Sequence, residues 1–160
     1  MRSRFLAKCL KRLIADRITR EPDHRIGEED NWYLLRWYII PRNRFFNIYL
    51  HRFLRSDDDR ALHDHPWWSF SICLDGGMYE ITENLKFFNK RRCVRVGDMV
   101  LRSPTFAHRL ELSPLFDLPV TLFITGPRIR EWGFLCPKGW RHWQLFTAKD
   151  DSGQVGRGCE

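Results

Sequence analysis

Long apolar runs are missing from this sequence. No stretch approaches the length of a membrane span. Near the N-terminus, Lys8, Lys11 and Arg12 interrupt the apolar residues where a signal peptide would need an unbroken core. Internal repeats and low-complexity segments are also missing. We therefore expect an ordinary globular protein with one main domain, located in the cytoplasm.

Cysteine is scarce and lacks a recognisable pattern. The five cysteines form no CxxC pair and are odd in number: Cys9, Cys73, Cys93, Cys136 and Cys159. This spacing is typical neither of a disulfide framework nor of a structural zinc site. We predict reduced thiols, with Cys73 as a buried structural residue.

Acidic residues are fewer than basic ones, and the formal net charge is +7. Much of the excess lies in the first twenty residues. A polyanionic partner such as nucleic acid would fit this charge, but arginines dispersed over a soluble protein are the favoured interpretation. Aromatic residues make up 14% of the chain, which indicates a large apolar interior or a lined cavity rather than disorder.

The spacing of apolar residues predicts a helix over residues 4–20, which Glu21-Pro22-Asp23 ends. Its apolar face consists of Phe5, Leu6, Cys9, Leu10, Leu13, Ile14 and Ile18. We treat residues 1–22 as a basic amphipathic helix. It is expected to pack on the domain rather than on an anionic membrane surface or a nucleic acid. We also expect the rest of the chain to fold without residues 1–20.

From Asn31 onward the pattern changes to short strands separated by turn residues, with no helix between them. Such a pattern predicts an all-β antiparallel sandwich or barrel, here over residues 31–148. The strands are expected at Tyr33–Ile40, Phe45–Leu54, His63–His65, Ser69–Leu74, Met78–Thr82, Phe87–Phe88, Cys93–Val96, Asp98–Leu101, His108–Leu112, Val120–Thr125 and within Gly133–Phe146.

Two details of this pattern carry separate predictions. Asp75-Gly76-Gly77 separates two strands by a short glycine turn, which predicts that Ser69–Leu74 and Met78–Thr82 pair as a hairpin. The polar, glycine-rich residues 149–160 are predicted to form a flexible tail.

Three histidines are placed to meet. In a strand, residues i and i+2 point to the same face, so His63 and His65 project together. His108, on a later strand, would supply a third imidazole. Imidazole binds iron, zinc, copper and nickel, and we therefore predict a divalent-metal site.

These residues resemble the two motifs of the cupin superfamily, the RmlC-like jelly-roll barrels. The first family motif runs from His-x-His through a glutamate to a glycine, as His63-Asp64-His65 leads here to Gly76. The second runs from glycine and aspartate through proline to histidine, as Gly97-Asp98 leads to Pro104 and His108. The resemblance implies an antiparallel jelly-roll (cupin) barrel that carries the N-terminal amphipathic helix.

The chain departs from the family pattern at three positions. Ser69 stands in place of the metal-binding glutamate, Thr105 in place of a motif glycine, and Asp57 where the first motif opens with glycine. The missing glutamate leaves three neutral imidazoles. This set is similar to that of cupin dioxygenases acting on small thiols or β-diketones. The resemblance thus implies a mononuclear non-haem iron dioxygenase for a small polar molecule, with Fe(II) preferred and Zn, Ni or Mn as alternatives.

Several further residues are candidates for roles around this site. Arg36, Arg52, Arg102 and Arg109 lie on predicted strands. We choose Arg52 and Arg102 to bind an anionic substrate group. Trp67 would form an apolar wall of the substrate pocket, and Ser69 is a further candidate for binding the substrate. Tyr49 and Tyr79 are the candidate proton donors.

Glu80 and His51 could also act near the metal, but we expect both to have structural roles. Glu80 follows the Gly76-Gly77 turn and is expected at a surface strand position rather than at the metal. His51 is expected to be a half-buried histidine with its hydrogen bonds satisfied.

Other functions remain open at this stage. A non-redox cupin, either a metal-assisted isomerase or a sugar epimerase-like protein with histidine as general base, is one alternative. A non-enzymatic module is another. It would bind a small ligand, or a nucleic acid through the basic N-terminus and the Trp-rich residues 131–143, although we favour strands that close the barrel there. The resemblance also implies a homodimer, because cupin barrels commonly dimerise through an edge strand, which covers that edge.

Overall fold

The computed structural model describes residues 2–57, 61–83, 89–147 and 156–160. The predicted strand Phe87–Phe88, the turn residues Asp58 and Asp59 and most of the predicted tail lie outside these residues. Twelve strands are present in the described part: β1 (His24–Glu28), β2 (Asn31–Tyr38), β3 (Asn47–Phe53), β4 (Leu62–His63), β5 (Ser69–Asp75), β6 (Gly77–Glu83), β7 (Asn89–Arg95), β8 (Met99–Arg102), β9 (His108–Glu111), β10 (Val120–Thr125), β11 (Gly133–Cys136) and β12 (Gly139–His142).

The strands form two six-stranded antiparallel sheets. One has the order β1-β2-β3-β10-β5-β8 and the other the order β12-β11-β4-β9-β6-β7. The central neighbours in each sheet, such as β3 with β10 and β4 with β9, come from distant parts of the sequence, as in a jelly roll. The predicted all-β fold with an N-terminal helix is confirmed.

The predicted hairpin between the fifth and sixth strands is wrong. Strand β5 pairs with β10 and β8, whereas β6 pairs with β7 and β9 in the other sheet. Gly76 has φ +59°, and a Cβ atom there would collide with the Asp117 carbonyl oxygen. The glycine turn therefore carries the chain from one sheet to the other. The alternation of side chains along a strand does not show whether the next strand pairs with it or crosses to the other sheet.

The N-terminal segment forms two short helices, α1 (Arg4–Leu13) and α2 (Ala15–Ile18), instead of one helix over residues 4–20. Ala7 is fully buried in a core cluster against one face of the first sheet. Phe5 and Leu13, predicted for the apolar face, are 81% and 80% exposed. The buried stripe is centred on Ala7 instead and continues through Leu10, Ile14 and Ile18.

The start of α1 is fixed to the barrel by backbone contacts. Ser3 caps the helix by accepting a hydrogen bond from the Leu6 amide, and the Ser3 amide donates to the Gly97 carbonyl oxygen. Gly97 has φ +89°, and a Cβ atom there would lie 2.7 Å from the Arg4 nitrogen. This motif glycine thus permits the helix to approach. These contacts favour a helix that belongs to the core, against the expectation that residues 1–20 are dispensable.

Two other regions differ from the sequence predictions. Strand β1, which was not predicted, pairs with β2 at the edge of the first sheet, with a register shift between Ile26 and Gly27. The strand pair expected in the aromatic region is present as the hairpin β11–β12, but its last residues form a short helix, α3 (Trp143–Phe146), instead of strand. Within the part of the chain that the structure describes, no helix is long and apolar enough to cross a membrane.

The prediction of reduced thiols is wrong for two of the five cysteines. Cys136 on β11 and Cys159 near the C-terminus form a disulfide. The two residues are 23 positions apart, so sequence spacing gave no motif that would pair them. Cys9, Cys73 and Cys93 are free. Cys73 is buried as predicted, and burial raises the pKa of its thiol to about 12.

Candidate metal centre and cavity

A cavity of about 530 Å³ lies inside the barrel. Residues from both sheets and from the C-terminal aromatic region line it, and most of them are apolar or aromatic. Three groups of polar residues stand out: the three histidines His63, His65 and His108, the buried arginine Arg102 with Ser71, and a second pair made by Arg36 and His51. The remaining polar lining residues among those described are His24, Asp57, Thr121 and Thr147.

The three predicted histidines meet on the cavity wall. Their ring centroids lie 5.1 Å apart in every pairing, and one ring nitrogen from each lies within 4.8 Å of the other two. The Nε2 atoms of His65 and His108 are 3.4 Å apart. Donor nitrogens at such spacing can share one divalent ion.

Different backbone interactions position each imidazole. His63 and His108 are direct partners in the β4–β9 ladder. His65 lies beyond the end of β4, and its amide donates to the Pro104 carbonyl oxygen at 3.1 Å. The predicted strand His63–His65 therefore ends after its first histidine, but the Pro104 contact keeps His65 beside the other two.

Two carboxylates face the outer nitrogens of this cluster. Asp57 Oδ2 lies 3.9 Å from His63 Nδ1, and Glu80 Oε1 lies 3.8 Å from His108 Nδ1. Histidine ligands usually present their second nitrogen to a carboxylate or carbonyl, which orients the ring and makes it a better donor. This arrangement leaves the Nε2 atoms of His63 and His108 as the ligand atoms.

The electrostatic environment keeps the imidazoles of His65 and His108 neutral. Burial lowers the pKa of His65 and His108 well below the ordinary value, and the nearby charges of His63 and Arg102 lower it further. Metal binding requires neutral imidazole. His108 Nδ1 is also buried without a hydrogen-bond partner within the described residues. The donor type, the spacing and the protonation state all fit a divalent metal.

The interpretation of Glu80 as a surface residue is wrong. Its side chain is 1% exposed and accepts hydrogen bonds from Arg102, whose Nε and Nη2 atoms both lie 2.7 Å from Oε1. Arg102 Nη1 also donates to Ser71 Oγ at 2.8 Å. The guanidinium of Arg102 therefore lines the cavity, but Glu80 already matches its charge.

The other predicted substrate residues are placed differently. Trp67 lines the cavity, and its Nε1 atom is buried with no partner in the described part of the chain. Ser69 is buried beside Arg102 in the β5–β8 ladder but does not line the cavity. Arg52 is exposed on β3 and also lies outside the lining.

Neither predicted tyrosine contributes to the cavity wall. Tyr49 shares the inward face of β3 with His51, and the two rings stack at 5.7 Å. Tyr79 lies on the opposite face of β6 from Met78 and Glu80. There its ring packs under the Arg91 guanidinium, whose central carbon lies 3.6 Å from the ring centroid. Both remain predictions as proton donors, without a cavity contact to support them.

The Arg36–His51 pair was not assigned to the site from the sequence. Arg36 Nε donates to His51 Nε2 at 2.9 Å, and both residues line the cavity. Their positions on neighbouring strands β2 and β3 are directly paired. Alternation alone does not say which face of a strand is inward, so the sequence held no signal for this pair.

The residue between the two histidines has a structural role of its own. Asp64 is buried and accepts hydrogen bonds from Arg130 Nη1 at 2.7 Å, the Gly133 amide at 2.8 Å and Trp140 Nε1 at 3.0 Å. These three donors belong to the C-terminal region. Asp64 thus fixes that region against the strand that carries the metal-site histidines.

Replacing Asp64 by alanine is expected to lower the free energy of unfolding by about 3–5 kcal/mol, because it leaves a charged donor and two neutral donors without their acceptor. Chemical denaturation followed by tryptophan fluorescence measures this. Asp64→Asn, which keeps an acceptor oxygen, should lose less. Equal stability of the alanine variant and the wild type would contradict the anchoring role.

Comparison with known proteins supports the fold alone. No protein-family model and no curated protein matches the sequence. The iron(II) form of HppE is 16% identical with a TM-score of 0.50, and the match covers 66% of this chain and 58% of that one. A putative mannose-6-phosphate isomerase from Ralstonia eutropha is 15% identical with a TM-score of 0.48, and the match covers 66% of this chain and 92% of that one. An oxalate decarboxylase variant from Bacillus subtilis is 14% identical with a TM-score of 0.48, and the match covers 66% of this chain and 27% of that one.

The sheet order and the likeness to HppE show that the chain has the cupin jelly-roll fold. This chain spans less than two thirds of the length of HppE. What the relatives act on therefore does not transfer to it.

Proposed function

We propose that this cupin holds one divalent metal through His63, His65 and His108, with Fe(II) as the working metal, and that it is a dioxygenase for a small polar molecule. The observation that carries the proposal is the convergence of three imidazoles on the wall of an aromatic-lined cavity, where burial lowers the pKa of His65 and His108 and keeps both neutral. No carboxylate joins them as a fourth ligand atom among the described residues.

The protein's own contribution is placement and protection. Asp57 and Glu80 lie 3.9 Å and 3.8 Å from the Nδ1 atoms of His63 and His108, on the side of each ring away from the proposed metal. From there they would favour rings that direct Nε2 toward a bound ion. Iron(II) held there would supply the redox chemistry with oxygen that no side chain provides. Trp67, Trp132 and Phe134 line the cavity and exclude bulk water from the reacting molecules.

Oxygen consumption tests this proposal. Protein loaded anaerobically with iron(II) is mixed with air-saturated buffer and a panel of small thiols, β-diketones and amino acids in an oxygen electrode. We expect substrate-dependent uptake that His65→Ala abolishes. The control His142→Ala should keep it, because His142 interacts with Glu131 outside the cavity.

Two results would contradict the proposal. One is an iron-loaded wild type that consumes no oxygen with any member of the panel. The other is turnover that proceeds equally well without oxygen or with zinc in place of iron, which would support the non-redox cupin instead.

A further inference from the structure

Two arginines line the cavity, and only one of them has a counter-ion there. Arg102 is matched by the buried carboxylate of Glu80. Arg36 donates from Nε to His51 Nε2, and its guanidinium carbon lies 4.8 Å from the centroid of the Tyr49 ring. No carboxylate lies within ion-pair distance of Arg36 among the described residues, and neither of its Nη groups has a hydrogen-bond partner there.

The interaction with His51 leaves the pair with one positive charge. His51 accepts the Arg36 hydrogen bond through a ring lone pair, so the imidazole is neutral in this arrangement. Burial and the charge of Arg36 both lower the pKa of His51, which agrees with that assignment. The whole charge therefore resides on the guanidinium, and His51 holds it in place.

An unmatched guanidinium at a cavity wall is costly to the empty protein. Removing a charge from water without a partner is unfavourable, and burial lowers the pKa of Arg36 accordingly. Thr121 and Phe123, which face the same part of β3 from the neighbouring strand β10, are uncharged. The carboxylate among the described lining residues, Asp57, lies beside His63 and accepts a hydrogen bond from the Leu110 amide, so it is not a partner of Arg36. An anionic ligand would supply the missing partner.

We propose that Arg36, held by His51, binds the carboxylate of a small organic acid whose other end lies at the three-histidine cluster. The orientation toward that cluster rests on the proposed function, whereas the carboxylate contact does not. The two free Nη groups of a guanidinium suit the two oxygens of one planar carboxylate. One positive charge matches a monocarboxylate better than a phosphate dianion, and the apolar lining suits the remainder of such a molecule.

Calorimetric titration of metal-free protein with benzoate and benzamide tests the carboxylate contact without activity. The two probes share size and shape but differ in charge. We expect wild type to bind benzoate at least about tenfold more tightly than benzamide, as for a charge-assisted hydrogen bond. Arg36→Met should remove that preference. Arg42→Met is the matched control, because Arg42 is exposed and lies over Tyr38 outside the cavity.

Equal or unmeasurable binding of the two probes by wild type overturns the proposal, and so does tighter binding of inorganic phosphate than of benzoate. This wild-type comparison decides the matter even if Arg36→Met fails to fold. The same titrations on His63→Ala separate the two proposals. If His63→Ala keeps the preference for benzoate and wild type binds no metal, the Arg36 contact is supported and the metal proposal is contradicted. If wild type binds metal but shows no preference for benzoate, the metal proposal is supported and the Arg36 contact is contradicted.

Discussion

Glu80→Ala is expected to lower the free energy of unfolding by about 3–5 kcal/mol, since removing one partner of a buried ion pair leaves the other charge unmatched. Glu80 and Arg102 are 1% and 4% exposed, so water cannot replace the lost carboxylate. Urea denaturation monitored by circular dichroism measures the change. Glu83→Ala, at an exposed position on the same strand, should stay within about 0.5 kcal/mol of wild type.

A second substitution separates the ion pair from simple loss of packing. Combining Glu80→Ala with Arg102→Met removes both charges, and we expect the double variant to recover much of the lost stability. If the double variant is as unstable as Glu80→Ala alone, the unmatched charge is not the cause. Glu80 also stands behind His108, so both variants should bind metal about 10–100-fold more weakly than wild type.

Deleting residues 1–20 is expected to prevent folding to a stable monomer. The deletion uncovers a group of large side chains that are nearly inaccessible in the intact protein: Trp37, Leu50, Ile72, Leu74 and Val120. Each such side chain contributes about 1.5–3 kcal/mol when buried, and their sum is comparable with the whole net stability of a domain, about 5–15 kcal/mol. The deletion also removes the Arg20 carbonyl oxygen that accepts from Trp37 Nε1.

Circular dichroism melting and size-exclusion chromatography measure the outcome for the shortened chain. We expect aggregation or the loss of a cooperative transition. Leu13→Ser serves as the control, because Leu13 is 80% exposed and its replacement should leave the melting temperature unchanged. A shortened chain that melts like wild type would show that the helix is an appendage.

The metal-site histidines were predictable because their signal is local. His63 and His65 are two residues apart, and a period of two places both on one face wherever the strand lies. His108 follows a glycine–aspartate and proline pattern at a distance similar to that of the cupin motif. These features do not depend on knowing which strand pairs with which, and they predicted the cupin fold together with the cluster.

The residues around the cluster were not predictable because their roles depend on long-range pairing. Glu80 is buried only because β6 crosses to the second sheet, which places it beside Arg102 from β8 and His108 from β9. Arg36 meets His51 through the register of β2 and β3. A strand pattern gives two faces, and the assembled sheets decide which of them is inward.

Metal content tests the central claim most directly. The protein is purified anaerobically without a metal-binding tag, and the bound metal of wild type, His63→Ala and His142→Ala is measured by elemental analysis. We predict about one divalent metal ion per chain in wild type and His142→Ala, and none in a folded His63→Ala variant. Metal retained by His63→Ala, or a wild type that takes up no metal on reconstitution with iron(II), would contradict the three-histidine site.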